Sequence, residues 1–375
     1  MFVRKLSSGN VTKVSRIDHE YTIAAIVKMA DKGKLIEELR KRLEDVPPLE
    51  GEPDFVRSDE TLVRFLKSRD WKLPEAEKLL RATVDWRRES KPLTMDCRWC
   101  HEKPGFHTMR QVGFDELGRP VMYASFTQAS TRKNSVEDSI AHVTYLIENA
   151  KRTMREGIHT WVWVIDCTGI SLPVCNPRLG YGVTQVMSNF YPERLGLVIC
   201  INHSSMFQGV WKAIKVFLHP NTVSKMKLIR SKKKIMETFE KYFSHELTRW
   251  IIDEIHINKQ RPLSQIQKEF WKGPKDPFAH DPRGCPSYVQ NYIDTFPIMC
   301  RDNKNVHRPH PNVIDFLSGR DIKASDPSPT LAHEQAAGAC SNHDDVDLDL
   351  DDSDSAFEIE ISDEYQVPKG AAQIQ

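Results

Sequence analysis

A chain of 375 residues with 39% hydrophobic and 28% charged side chains has the proportions of a globular protein of two or three units, and no run of 18 apolar residues marks a bilayer-spanning helix. Its net charge of +1 conceals a segregation: residues 344–364 hold eleven acids and no Lys or Arg, leaving 41 acids against 53 bases elsewhere, a net of +12. A basic body suits an anionic surface, and without an RNA-reading motif, zinc-finger spacing or aromatic-glycine strand the expected surface is a membrane and not a nucleic acid.

Residues 1–30 show no clear period and read as a loose lead-in. From Lys34, the residues Leu35, Leu39, Leu43 and Val46 recur at helical spacing until Pro47-Pro48 stops them. Ser58 or Asp59 caps a second helix whose apolar face is Leu62, Phe65 and Leu66. Pro74-Glu75 opens a third, with Ala76, Leu79, Leu80, Thr83 and Trp86 on one side. Three amphipathic helices before any strand predict a helical N-lobe over 31–93.

After Pro92 the texture changes. Asp115–Gly118 reads as a turn and Arg119–Phe126 as a strand; Ser135–Glu156 is a long helix with Val136, Ile140, Val143, Ile147 and Met154 on its apolar face. Thr160–Asp166 is apolar almost throughout, as in a strand covered on both faces. A helix over Pro177–Phe190, a strand over Leu197–Ile201, a helix over Met206–Phe217, a short strand over Lys225–Arg230 and a helix over Ser231–Tyr242 follow. This alternation predicts an α/β unit over 94–258 with a mainly parallel sheet. Residues 259–324 are Pro-rich and read as an irregular extension, with a short helix at Gln265–Trp271 whose apolar residues would pack on the body or touch a partner. From 325 to 375 an acidic, disordered tail is expected.

The words DETLVRFLKSR, LGRPV, VIDCTGIS, YPERLG and FLHPNTVSK stand in this order between about Asp59 and Ile257. In these words the chain resembles the CRAL-TRIO family, specifically its yeast secretory-fourteen-like phosphatidylinositol-transfer class. The resemblance implies a helical lobe followed by an α/β domain whose sheet floors an apolar lipid pocket closed by a movable helix. That gate would run through Phe207, Val210, Trp211, Ile214 and Phe217, and Met122, Trp161, Trp163 and Ile199 would form the pocket wall. The headgroup residues implied are Arg69 and Lys225 on the phosphate, Thr222 donating a hydroxyl and Glu193 orienting Lys225 or bonding the inositol. Asp70 departs from the family, whose inositol-binding members carry a lysine there. An alternative for Glu193 is a local salt bridge to Arg194 that pins the turn. Met122, Trp161 and Trp163 stand where the class has the hydroxyl residues of its phosphatidylcholine site, so its two-ligand exchange is not assumed, and a different second ligand such as a sterol, retinoid or tocopherol stays open. The family's Leu-Pro lead into a Gly-Gly turn is also missing, replaced by HELTRWIIDEIHINKQRPLS.

Lys212, Lys215, Lys227, Arg230, Lys232, Lys233 and Lys234 lie in or after the gate and are the expected membrane contacts. Enzyme motifs are lacking: Gly180-Tyr181-Gly182 misses the third glycine of a dinucleotide loop, and His203 with Ser204 and Ser205 is a sequence neighbourhood, not a triad. Cys97-Arg98-Trp99-Cys100-His101, with His107 nearby, has no second half for a four-ligand spacing and reads as coincidence. No catalytic residue, cofactor or metal is expected. MFVRKLSSGNVTKV lacks the apolar stretch of a secretory signal, and eight cysteines without regular spacing favour reduced thiols. The expectation is a cytoplasmic, monomeric, non-enzymatic carrier of phosphatidylinositol, peripheral on organelle membranes, with an unknown protein partner on the acidic tail. The alternatives are a lipid-occupancy sensor or scaffold acting through the tail, and a carrier of a sterol, retinoid or other non-phospholipid. By its charge the tail would also fold over the basic gate and compete with anionic lipid.

Overall fold

The computed structural model describes residues 30–95, 97, 105–128, 135–170, 177–216, 218–272, 276 and 279–284. They divide into two compact units: residues 30–91 with Ser188–Glu193, and residues 92–187 with 194–284. The lead-in, the acidic tail and most of the extension beyond 284 lie outside the described residues.

The first unit holds α1 (30–42), α2 (Asp59–Ser68) and α3 (Leu73–Ser90). The Ser58 hydroxyl accepts the Thr61 N–H at 3.3 Å, satisfying one orphan donor of the first turn. Pro74 sits in the first turn of α3, where its missing N–H costs nothing. The apolar stripes meet in one core of Leu39, Leu43, Leu62, Phe65, Leu66, Leu79 and Leu80, and each fully buried side chain of this size stabilises by roughly 1.5–3 kcal/mol. Ser188–Glu193 completes this unit from far along the chain. Trp86 stacks on Phe190 with centroids 4.2 Å apart and meets Tyr191 edge-on at 5.9 Å. The Thr83 hydroxyl donates to the Asn189 carbonyl at 2.9 Å, and buried Arg64 donates to the Pro192 carbonyl at 3.2 Å.

The second unit is built on a five-stranded sheet in the order β1-β2-β3-β4-β5. Its strands are β1 (Arg110–Phe114), β2 (Pro120–Ser125), β3 (Trp161–Asp166), β4 (Leu195–Ile201) and β5 (Met226–Ile229). β1 and β2 form an antiparallel hairpin, and β2 to β5 run parallel. The hairpin turn is held by Asp115, whose Oδ1 accepts the N–H groups of Leu117 and Arg119 at 3.1 and 2.8 Å, with Gly118 at φ +76°. Parallel neighbours need crossovers; α4 (Val136–Arg152), α5 (Pro177–Phe190) and α6 (Ser205–Lys215) with α7 (Pro220–Ser224) supply them. α8 (Lys232–Tyr242), α9 (His245–Lys259) and the short α10 (Gln265–Lys268) follow. Ile235, Phe239, Leu247, Trp250 and Ile251 of α8 and α9 pack on Val121, Tyr123, Val162, Val164, Leu197 and Ile199.

Three elements lie outside the sequence expectations, one of them the short helix α7. β1 was not anticipated, and HELTRWIIDEIHINK forms α9. Residues 259–284 are not wholly irregular: the Trp250 indole donates to the Asp281 carbonyl at 2.7 Å, Arg110 donates to the Arg283 carbonyl at 3.2 Å, and Phe270 is buried. The centre of this attachment is Glu254, fully buried. It accepts from Arg110 at 2.9 Å, from Gln128 at 2.8 Å and from Asn258 at 3.3 Å, and pairs with His280 at 2.7 Å.

Candidate functional site

The four headgroup residues fall two in each unit. Arg69 caps the C-terminus of α2, and its guanidinium donates to the Ser68 carbonyl at 3.2 Å. Burial lowers the Arg69 pKa from its usual value, against the opposing fields of Glu75 and Asp70. Asp70 and Trp71 follow with φ of +51° and +63°, a tight left-handed exit that non-glycine residues adopt at a cost. Glu193, itself at φ +57°, pairs with Lys67 at 3.2 Å. Arg194 donates to the His159 carbonyl at 3.0 Å. Sequence reasoning gave Glu193 to Lys225 or Arg194 and overlooked Lys67, which lies in DETLVRFLKSR itself.

Thr222 and Lys225 sit together on the α7 turn. The His219 ring nitrogen accepts the Asn221 N–H at 3.2 Å and caps the turn, and the Lys225 N–H returns to the Thr222 carbonyl at 3.2 Å. The Lys225 carbonyl accepts the Val198 N–H at 2.9 Å, which ties the turn to β4. Three residues apart in one turn, the Thr222 and Lys225 side chains leave from the same side.

The sheet has two faces, and the expected pocket wall does not share one. Val162 and Val164 belong to the core with α8 and α9, so the alternating Trp161 and Trp163 point to the other face. Met122 aligns with Trp163, and Trp163 aligns with Val198. Ile199 aligns with Val164 and is buried among the α8 and α9 side chains. The expected wall is therefore corrected: Ile199 lies on the opposite face, and it is Val198 and Cys200, with Met226 and Leu228 through the β5 register, that share the face of Met122, Trp161 and Trp163.

α6 opens on Ser204, whose hydroxyl accepts the Phe207 N–H at 3.3 Å. Phe207 and Trp211, one turn apart, are half-buried, whereas Lys212 and Lys215 are exposed. The side chains of Val210 and Ile214, and Phe217 altogether, lie outside the described residues. Beside Lys215, Val216 is 71% exposed, an apolar side chain in a basic setting. Arg230, Lys232, Lys233 and Lys234 are also exposed. The three lysines form the first turn of α8, which has no acid in it. The helix dipole is positive at that end, so like charge there is unfavourable until an anion approaches.

Lys227 is placed differently. It shares the Ile199 face and lines an open cleft of about 710 Å³ with His203, Gln208, Arg230, Lys234 and Glu237. Burial lowers the His203 pKa, as does Arg230, against a backbone hydrogen bond at Ser204. The cleft is basic and also takes in Leu228 and Ile229 of the edge strand β5. Among the described residues no helix is long and apolar enough to cross a membrane.

Comparisons with known proteins agree with this architecture. Residues 108–248 match the CRAL/TRIO domain and residues 35–82 match the CRAL/TRIO N-terminal domain. The SEC14 cytosolic factor of Yarrowia lipolytica is 30% identical over 186 residues, covering 45% of this chain and 38% of that protein. The chain thus spans well under two thirds of the length of that relative. The SEC14 cytosolic factor of Eremothecium gossypii is 28% identical over 220 residues, covering 53% of this chain and 71% of the relative. A crystal structure of Sfh5 superposes with a TM-score of 0.47 at 16% identity, covering 56% of this chain and 83% of that one. Both domain matches stand in family order, one on each side of the boundary near residue 92, and together they span half of the 375 residues: the chain belongs to the CRAL/TRIO family.

Proposed function

We propose that this protein is a non-enzymatic lipid carrier that holds phosphatidylinositol over the tryptophan face of its sheet and exchanges it at anionic membranes. The observation that carries the reading is the apolar sheet face of Met122, Trp161, Trp163, Val198 and Cys200, on the side away from α8 and α9. On it the Trp163 indole N–H is buried with no hydrogen-bond partner among the described residues. Such a donor costs about 1–3 kcal/mol left unmade, and an ester carbonyl of a bound lipid would accept it. The energetic need is large. At about 0.8 kcal/mol per exposed CH₂, a two-chain lipid faces a barrier of some 20 kcal/mol on leaving a bilayer. An apolar wall offered at the membrane lowers that barrier without chemistry.

The amphipathic α6 serves as the gate, its Phe207 and Trp211 side turned inward and Lys212 and Lys215 outward. Reversible docking comes from the exposed lysines, each contributing roughly 1 kcal/mol near an anionic surface. The working compartment is the cytoplasm, on the organelle membranes where such lipids reside. Thr222 and Lys225, on one turn, take the phosphate, and the family resemblance adds Arg69 and Glu193 as headgroup residues.

Lipids extracted from the purified protein and identified by mass spectrometry test this. Phosphatidylinositol is expected in the wild type and its loss in Arg69→Ala and Lys225→Ala, since a charge-assisted hydrogen bond is worth about 1.5–3 kcal/mol, roughly ten- to hundredfold in affinity. A sterol or retinoid that is indifferent to both substitutions would overturn the ligand.

A further inference from the structure

We propose a zinc site formed by Cys97, His107 and His142 in the second unit. The donor atoms of the three residues lie within 4.8 Å of one another. Cys97 Sγ is 3.4 Å from His107 Nδ1, and the imidazoles of His107 and His142 stack with centroids 4.0 Å apart. Zinc bound at about 2.3 Å by sulfur and about 2.0–2.1 Å by nitrogen sets tetrahedral edges of about 3.5 Å between sulfur and nitrogen and about 3.3 Å between nitrogens. One edge already has this length; the other donor pairs lie within 4.8 Å, and the stacked rings must turn apart for both nitrogens to face one ion.

The chemistry of the set agrees with its geometry. One thiolate and two imidazoles are the borderline donors that zinc takes in proteins. Cys97 and His142 are buried. The outer shell is also built. The His142 ring N–H donates to the Met109 carbonyl, the kind of contact that fixes the ring and tautomer of a ligating histidine. Phe106 meets His107 edge-on at 4.9 Å, and Tyr145 flanks His142 at 6.2 Å. The fold thus supplies from α4 the further ligand that the sequence spacing lacks. Cys100 and His101 lie outside the described residues and form no part of the assignment; a water completes the shell of three protein ligands. The metal would pin the connection between the Pro92–Thr94 turn and β1 to helix α4.

The test uses the full-length protein without an affinity tag, purified without chelator. Elemental analysis is expected to find about one zinc per chain, falling below about 0.2 in Cys97→Ser and His142→Asn. Should those variants not fold, the wild type decides alone. After chelation, added Co²⁺ is expected to produce a tetrahedral spectrum with a thiolate-to-metal charge-transfer band, and zinc is expected to shield Cys97 from alkylation. A folded wild-type chain that takes up neither metal, or a folded Cys97→Ser chain that keeps its zinc, would overturn the site.

Discussion

Glu254 shows how much one residue can decide. Burial alone would push its carboxyl up, but the hydrogen bond from His280, the charge of Arg110 and the contact with Gln267 hold it below the usual carboxylate range. A carboxyl lowered in the folded state stabilises above its unfolded pKa and loses that contribution as pH falls through the folded value. Glu254→Ala leaves Arg110 and His280 without their anion and is expected to cost roughly 3–5 kcal/mol at neutral pH. Urea unfolding at several pH values checks this: the gap between variant and wild type narrows in acid. A gap independent of pH would mean that the carboxylate charge is not the source. The same residue explains what sequence reading missed. Thr248, Glu254 and Asn258 are all buried on α9, so polar residues interrupt the apolar period that would have announced the helix. His142 was hidden likewise. An apolar face drawn through Val136, Ile140 and Val143 turns the helix away from its observed buried side, which holds His142, Glu148 and Asn149.

At the scale of elements, β3 and β4 were legible as strands and illegible as surfaces. A strand apolar on both faces carries no alternation, so nothing in WVWVID or LGLVICI says which side meets α8 and α9. Ile199 was misplaced for that reason. β1 escaped notice because its five residues include Arg110, Gln111 and Gly113, and its register with β2 slips between Gln111 and Gly113. The first turn of α8 carries its own prediction. Replacing Lys232, Lys233 and Lys234 by Glu removes three bases and adds three acids at a positive helix end. At about 1 kcal/mol per base, binding to anionic liposomes is expected to fall by at least about a hundredfold. The helix itself should be stabilised, because acids suit its N-terminus. Unchanged sedimentation with vesicles at low salt would remove these lysines from the docking surface.

For the whole molecule, local patterns gave the α/β class and the order of most helices and strands, because most elements announce themselves within a dozen residues. What they did not give is where Ser188–Glu193 belongs. The words YPERLG and DETLVRFLKSR are far apart in the chain, yet Arg64 of one grips Pro192 of the other. The first unit is therefore not a continuous piece of sequence. Residues 1–93 expressed alone lack the stacking partner of Trp86, and truncating a buried aromatic contact of this size costs about 3–5 kcal/mol. The fragment is expected to show no cooperative thermal transition by circular dichroism, whereas a sharp melt would make the helices self-sufficient.

The stretch ending at Gly284 has a consequence for solubility. β1 is the outermost strand on its side of the sheet, and a bare strand edge is a template for pairing with another chain. Gly284 lies so close to Val112 that a Cβ there would stand 2.9 Å from its Cα, and Arg110 reaches out to the carbonyls of Pro282 and Arg283. These last described residues shield the edge of the sheet, so that losing them would expose a surface prone to aggregation even where the lipid-binding face was left intact.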